Sequence, residues 1–171
     1  EEDFKRTLNL AKTDSLKDIR IKELINWDLQ HGEEEKAREL LKEEIKLYKN
    51  DSLKHIEIME YAANKYLAIG DTIETINLYL QLRKDYKHTS KFYNKVGVLY
   101  SRMHKNKSAL SEFKKAVKIE PQNDMFLYNL GIGYLNRGSK RSAKLYLKKA
   151  AELGHKDACQ EYRELSAKTR Y

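Results

Sequence analysis

An all-α chain of antiparallel helix pairs is predicted by three observations. Two stretches 34 residues apart carry one pattern, apolar residues recur at helical spacing along most of the chain, and helix breakers are scarce, with one proline and seven glycines in 171 residues. The first copy reads Tyr93-x2-Val96-Gly97-x2-Tyr100, then Ala109-x3-Phe113-x2-Ala116, then Pro121. The second reads Leu127-x2-Leu130-Gly131-x2-Tyr134, then Ala143-x3-Leu147-x2-Ala150, with His155 in the place of the proline. Tyr93, Val96, Gly97 and Tyr100 share one helix face. Glycine inside a helix costs about 1 kcal/mol against alanine, so Gly97 and Gly131 each predict a close helix contact that a side chain would block. Ala109, Ala116, Ala143 and Ala150 let the second helix of each pair approach the first. Pro121 cannot continue a helix.

A fixed 34-residue period with this residue order resembles the tetratricopeptide repeat. The resemblance implies a right-handed α-solenoid of about four repeats, read as one continuous domain. Residues 1–17 fall outside the register and read as an N-terminal cap helix or the remnant of an earlier repeat. Residues 18–55 read as a degenerate first repeat. Its first helix carries Ile21, Leu24 and Ile25 and ends at Gly32; its second opens on Glu33, Glu34 and Glu35, whose charge suits a helix N-terminus. Residues 56–89 form repeat two, with Met59, Ala62, Ala63 and Tyr66 on the packing face and a turn at Gly70-Asp71. Residues 90–123 and 124–155 form repeats three and four. Residues 156–171 read as a C-terminal cap helix and tail, with Ala158, Tyr162 and Leu165 facing inward. Residues 150–158 also show a local similarity to the opening of the Sel1-like repeat.

Composition excludes several classes. No apolar run approaches the ~18–20 residues of a membrane span. The chain begins at Glu1 without an initiator methionine, which reads as a trimmed or processed product of either the cytoplasm or a bacterial periplasm. Cys159 is the single cysteine, so an internal disulfide framework and a cysteine-based zinc site are excluded. The histidines His31, His55, His88, His104 and His155 fall in or between turns and read as solvated residues, with no spacing that would hold a metal. Gly131-Ile132-Gly133 lies inside a predicted helix and lacks the lysine of a phosphate loop. No nucleophile has its base, so neither an enzyme nor a cofactor is expected.

The net charge of +8 is uneven: residues 1–55 hold 12 Lys and Arg against 14 Asp and Glu, the rest 22 against 12. Lys114, Lys115, Lys118, Lys144, Lys148 and Lys149 recur on second helices, which the resemblance puts on the convex side. That stripe offers an alternative function, a basic surface for nucleic acid, acidic proteins or anionic membranes. No aromatic residue is interleaved with it in the sequence, which argues against nucleic acid.

The resemblance implies a monomeric binding scaffold whose first helices line a concave groove for a peptide or partner segment. It assigns to that groove Glu60 and Asn64, then Lys91, Asn94, Lys95, Val98 and Arg102, then Met125, Tyr128, Asn129, Ile132 and Asn136. Asn94 and Asn129 are expected to bond a peptide backbone. Likeness to co-chaperone members of the family also aligns Lys22, Asn26, Lys91 and Lys95 with a clamp for a terminal carboxylate, although Tyr61 stands where a further asparagine is required. Met125, Tyr128 and Ile132 lie off the packing face. They form either an apolar pocket or a surface that the C-terminal helix covers.

Overall fold

The computed structural model describes residues 14–86 and 89–167, and among them every regular element is a helix. The contacts gather into two compact units, residues 1–75 and 76–171, within the array that the sequence reads as continuous. The expected helix around Phe4, Leu8 and Ala11 lies outside the described residues.

The first unit contains α1 (Asp14–Gln30), α2 (Glu34–Leu47) and α3 (Ser52–Ala68), and it takes in the start of α4 (Thr72–Asp85). Consecutive helices pack, α1 on α2 and α2 on α3. Leu24 and Ile25 of α1 are buried, as are Ala37 and Leu41 of α2 and Met59, Ala62 and Ala63 of α3, positions that the spacing selects, and Ile58 of α3 is buried beside them in the chain. The helix read as starting the first repeat at Asp18 is continuous from Asp14.

The second unit runs from the remainder of α4 through α5 (Ser90–Arg102), α6 (Asn106–Ile119), α7 (Asp124–Leu135), α8 (Lys140–Glu152) and α9 (Lys156–Ala167). Each helix from α5 onward packs on the next, and the first helices α5 and α7 also touch one another. The glycine contacts fall where the repeat predicts. A Cβ on Gly97 would meet the Phe113 ring at 2.6 Å, and one on Gly131 would meet Leu147 at 2.8 Å. Phe113 and Leu147 occupy the same repeat position, so the two pairs are closed by the same device. Ala158 and Leu165 of α9 join Leu127, Ala143, Leu147 and Ala150 in one buried cluster, so α9 covers the end of the last pair.

Five of the turns share one bond. In each, the amide of the residue after the turn reaches a carbonyl five residues back: Glu33 to Asp28, Asp71 to Tyr66, Lys105 to Tyr100, Ser139 to Tyr134 and His155 to Ala150. This closure satisfies helix-end carbonyls and requires a left-handed residue just before the donor. Gly32, Gly70, Gly138 and Gly154 fill that place, but in the turn between α5 and α6 it is His104, at φ 56°.

Candidate functional site

In each unit the first helices are tied to one another by polar side chains about one repeat apart. In the second unit the Asn129 Nδ2 donates to Asn94 Oδ1 at 2.8 Å, and Asn136 Nδ2 donates to Ser101 Oγ at 3.3 Å. In the first unit Lys22 Nζ reaches Glu57 at 2.7 Å, and the Tyr61 hydroxyl donates to the Lys22 carbonyl at 3.2 Å. Helical spacing puts such residues on one face; the contact between first helices puts them opposite one another. Of the residues the resemblance assigns to a groove, Asn94 and Asn129 therefore stand beside each other, and Asn136 beside Ser101, each already holding a bond.

In the second unit Asn94 is 6% exposed and Asn129 half-buried. Their mutual bond uses one oxygen and one nitrogen. The Asn94 amide nitrogen and the Asn129 amide oxygen have no further protein partner among the described residues. Lys91 and Arg102 are exposed, while Val98 is half-buried against Ala109, Phe113 and Leu130. Lys95 donates to the Tyr79 hydroxyl at 3.2 Å and lies over that ring, so it is committed to an internal partner. In the first unit Glu60 is half-buried and Asn64 exposed on α3, beside a recess of about 260 Å³ lined by Asn26, Leu29, Gln30, Lys65, Ala68 and Ile69. Lys22 is paired with Glu57 and lies over the Tyr61 ring. Of the residues aligned with a carboxylate clamp, Lys22 is thus paired with a carboxylate in the first unit and Lys95 bonded to a hydroxyl in the second.

The apolar end of the groove resolves in favour of cover. Tyr128 stacks on His155 with ring centroids 4.4 Å apart, and Tyr128 and Ile132 both pack half-buried against the cluster that contains Ala158 and Leu165 of α9. Burial raises the Tyr128 phenol pKa, and the charges of Glu161 and Asp157 add to the rise. Met125 is 53% exposed, and Asn136 is also exposed, at the end of α7. An open pocket built from Met125, Tyr128 and Ile132 is thus corrected to an exposed Met125 beside a capped tyrosine.

Two further expectations are corrected. His55 is buried in the first turn of α3, not solvated, because the α2–α3 turn folds it inward; His88 lies outside the described residues. The basic stripe is also interleaved with aromatic rings. Lys114 lies over Tyr134, Lys115 over Tyr93, Lys144 over Tyr162 and Lys149 over Tyr146. Tyr134, Tyr93 and Tyr162 come from helices next to their lysines, so spacing along one helix does not show them, whereas Tyr146 precedes Lys149 by three residues on α8 itself. Each ring is half-buried and already carries a cation. Lys115 also pairs with the buried Glu112 at 2.8 Å, Glu112 being bound in turn by Arg83. Lys148 pairs with Glu152, and Lys118 is exposed.

One acidic cluster in the first unit deserves its own account of charge. Burial of Asp18 raises its pKa, but bonds from Lys54 and Tyr48 outweigh that and hold the carboxyl below its usual range. Glu44 is 4% exposed, and its Oε2 has no hydrogen-bond partner among the described residues. Burial first, then the negative charge of Asp18, pushes Glu44 up to about 7. No group of three or more metal-ligating side chains gathers among the described residues. No described helix is long and apolar enough to cross a membrane.

The class defined by this geometry is a helical-repeat protein with a polar face on its first helices. The comparisons agree. The chain is 35% identical over 104 residues to a TPR repeat-containing protein of Methanocaldococcus jannaschii, a match covering 60% of this chain and 18% of that protein. It therefore spans under a fifth of the length of that curated relative. No family model matches. Among solved structures, MamA (RS-1 ArsTM double mutant) aligns with TM-score 0.69 at 19% identity, covering 94% of this chain and 88% of that one. The first TPR of Spaghetti (RPAP3), bound to an HSP90 peptide, aligns with TM-score 0.62 at 20% identity, covering 67% and 92%. The Yersinia enterocolitica secretion chaperone SycD, in complex with a peptide of the translocator YopD, aligns with TM-score 0.62 at 14% identity, covering 67% and 95%. Sequence match and fold together give this chain the tetratricopeptide-repeat architecture.

Proposed function

We propose that the chain is a non-catalytic protein-interaction scaffold that holds an extended peptide segment of a partner protein against α5 and α7. The observation that carries this reading is the Asn94–Asn129 pair. The Asn94 amide nitrogen and the Asn129 amide oxygen stay accessible beside that bond, a donor and an acceptor side by side, which matches the C=O and N–H of a peptide group. Lys91 and Met125, exposed one turn before Asn94 and Asn129 on the same helices, would supply side-chain preference. The peptides held by the RPAP3 and SycD structures support the same use of this architecture. The alternative, a basic surface for nucleic acid, acidic proteins or membranes on the second helices, has weaker support, since most of its lysines are engaged with rings or carboxylates.

The test selects peptides from a random library on the full chain and measures their affinity for the parent and for Asn94→Ala with Asn129→Ala. Removing both partners avoids leaving one buried amide orphaned. The expected result is an unchanged helical signal with affinity lowered at least about tenfold, about 1.4 kcal/mol. Equal affinity for parent and variant would discard the reading.

A further inference from the structure

The turn between α5 and α6 differs from the others in a way that folding does not require. Gly70, His104 and Gly138 stand one repeat apart at the same position, and only His104 takes the left-handed conformation with a side chain. A left-handed residue other than glycine is uncommon, histidine being one of the side chains that adopt it more often, and such positions tend to persist where they serve a site. His104 is exposed, so it does not pack into a core. It lines a recess of about 600 Å³ with Lys105, Lys107 and Arg137. Asn106, Ser108 and Asn136 complete the lining, and no carboxylate takes part. Asn106 Nδ2 donates to the Asn136 carbonyl at 3.1 Å and so ties the two turns that form the walls.

The charges of this recess are unspent. Among the described residues Lys105, Lys107 and Arg137 pair with no carboxylate and cover no ring, and the same holds for Lys140 and Arg141 in the adjoining turn. The stripe lysines of the same unit contrast with them, Lys115 and Lys148 being paired and Lys114, Lys144 and Lys149 lying over tyrosines. The corresponding turn in the first unit has the opposite sign, with Glu33, Glu34 and Glu35 following Gly32.

We propose that the recess lined by His104, Lys105, Lys107 and Arg137 is a second docking site, taking an acidic peptide segment through its Asp and Glu side chains. The cations are spread over two turns on flexible stems, which matches charge distributed along a chain. A single phosphate favours the planar fork of converging arginines, and the lining has one arginine. The lining holds no tyrosine, tryptophan or phenylalanine, and the His104 imidazole is its one ring, so the succession of stacking platforms that holds single-stranded nucleic acid is missing. The site is independent of the Asn94–Asn129 reading and stands or falls separately.

The experiment measures fluorescence anisotropy of a dye-labelled hexaglutamate peptide with the full chain. Two variants lose the same charge: Lys105→Ala, Lys107→Ala, Arg137→Ala in the recess, and Lys114→Ala, Lys118→Ala, Lys148→Ala on the stripe. The recess variant is expected to weaken binding at least about tenfold and the stripe variant less than about threefold, because only local charges survive screening at physiological salt. Hexaglutamine should not bind. All three recess positions are exposed, so circular dichroism should match the parent. If it does not, Lys107→Gln alone carries the comparison against Lys118→Gln, with a smaller loss in the same direction. Absence of hexaglutamate binding, or equal losses in the two variants, would overturn the proposal. Tighter binding of a uridine oligonucleotide with the same variant sensitivity would overturn it too, replacing the acidic peptide with nucleic acid.

Discussion

Gly97→Ala should destabilise the protein although alanine is the better helix former. The Phe113 ring is held between two glycines. A Cβ on Gly97 would stand 2.6 Å from ring carbons Cδ1 and Cε1, and one on Gly133 would stand 3.0 Å from Cδ2 on the opposite edge. Phe113 is 3% exposed, so the ring cannot swing into solvent. Overpacking of this kind costs about 1–3 kcal/mol, and the helix preference of alanine returns about 1 kcal/mol. A net loss of about 1–2 kcal/mol follows, since the contact is well inside van der Waals distance. In a Phe113→Ala background the ring is gone and only the helix preference remains, so the same Gly97→Ala should stabilise by about 1 kcal/mol. The sign change makes a coupling of about 2–3 kcal/mol, within the range of residues in contact. Urea unfolding followed by circular dichroism on the four proteins measures it. If Phe113→Ala leaves too little folded protein, Phe113→Val replaces it. Equal effects of Gly97→Ala in both backgrounds would refute the close-contact argument.

Four further outcomes are expected. Glu44 binds its proton more tightly folded than unfolded, so its contribution is complete below about 4.5 and is lost as pH rises through about 7; melting temperature should fall across that window, and Glu44→Gln should flatten the fall. His104→Gly relieves the left-handed conformation and should raise stability by about 1 kcal/mol, read as a higher Tm. Lys115→Glu places a like charge against buried Glu112 and should lower the urea midpoint clearly more than Lys114→Glu, whose side chain has no carboxylate partner among the described residues. Tyr128→Ala with Ile132→Asp puts a charge under α9 and should loosen that helix, seen as faster amide exchange over Lys156–Ala167 with α5 unchanged.

The repeat was legible because its rules act over short distances along the chain. Gly97 and Gly131 announced close contacts, and Phe113 and Leu147 are the residues they meet. Gly32 and Gly70 mark a helix end and a turn in the same local way. What stayed hidden depends on pairs of side chains from different helices. Asn94 and Asn129 were selected as groove residues one by one, but their bond to each other needs the spacing between α5 and α7. The cover of Tyr128 by His155 and α9 needs the angle at which the last helix returns. The rings under Lys114 and Lys144 belong to α7 and α9 and come into reach only when the helices stack. Nothing along the chain sets Glu44 apart from the other helix carboxylates, and it is the packing of α2 against its neighbours that buries it.

The central claim is that a peptide is read by the first helices of the second unit. It is tested most directly by nitrogen–proton NMR during titration with a library-selected peptide. The side-chain amide signals of Asn94 and Asn129 should shift together with backbone signals along one face of α5 and α7, while those around Lys118 and Lys148 stay in place. Shifts confined to the outer residues of α6 and α8, with both asparagine side chains unmoved, would contradict it.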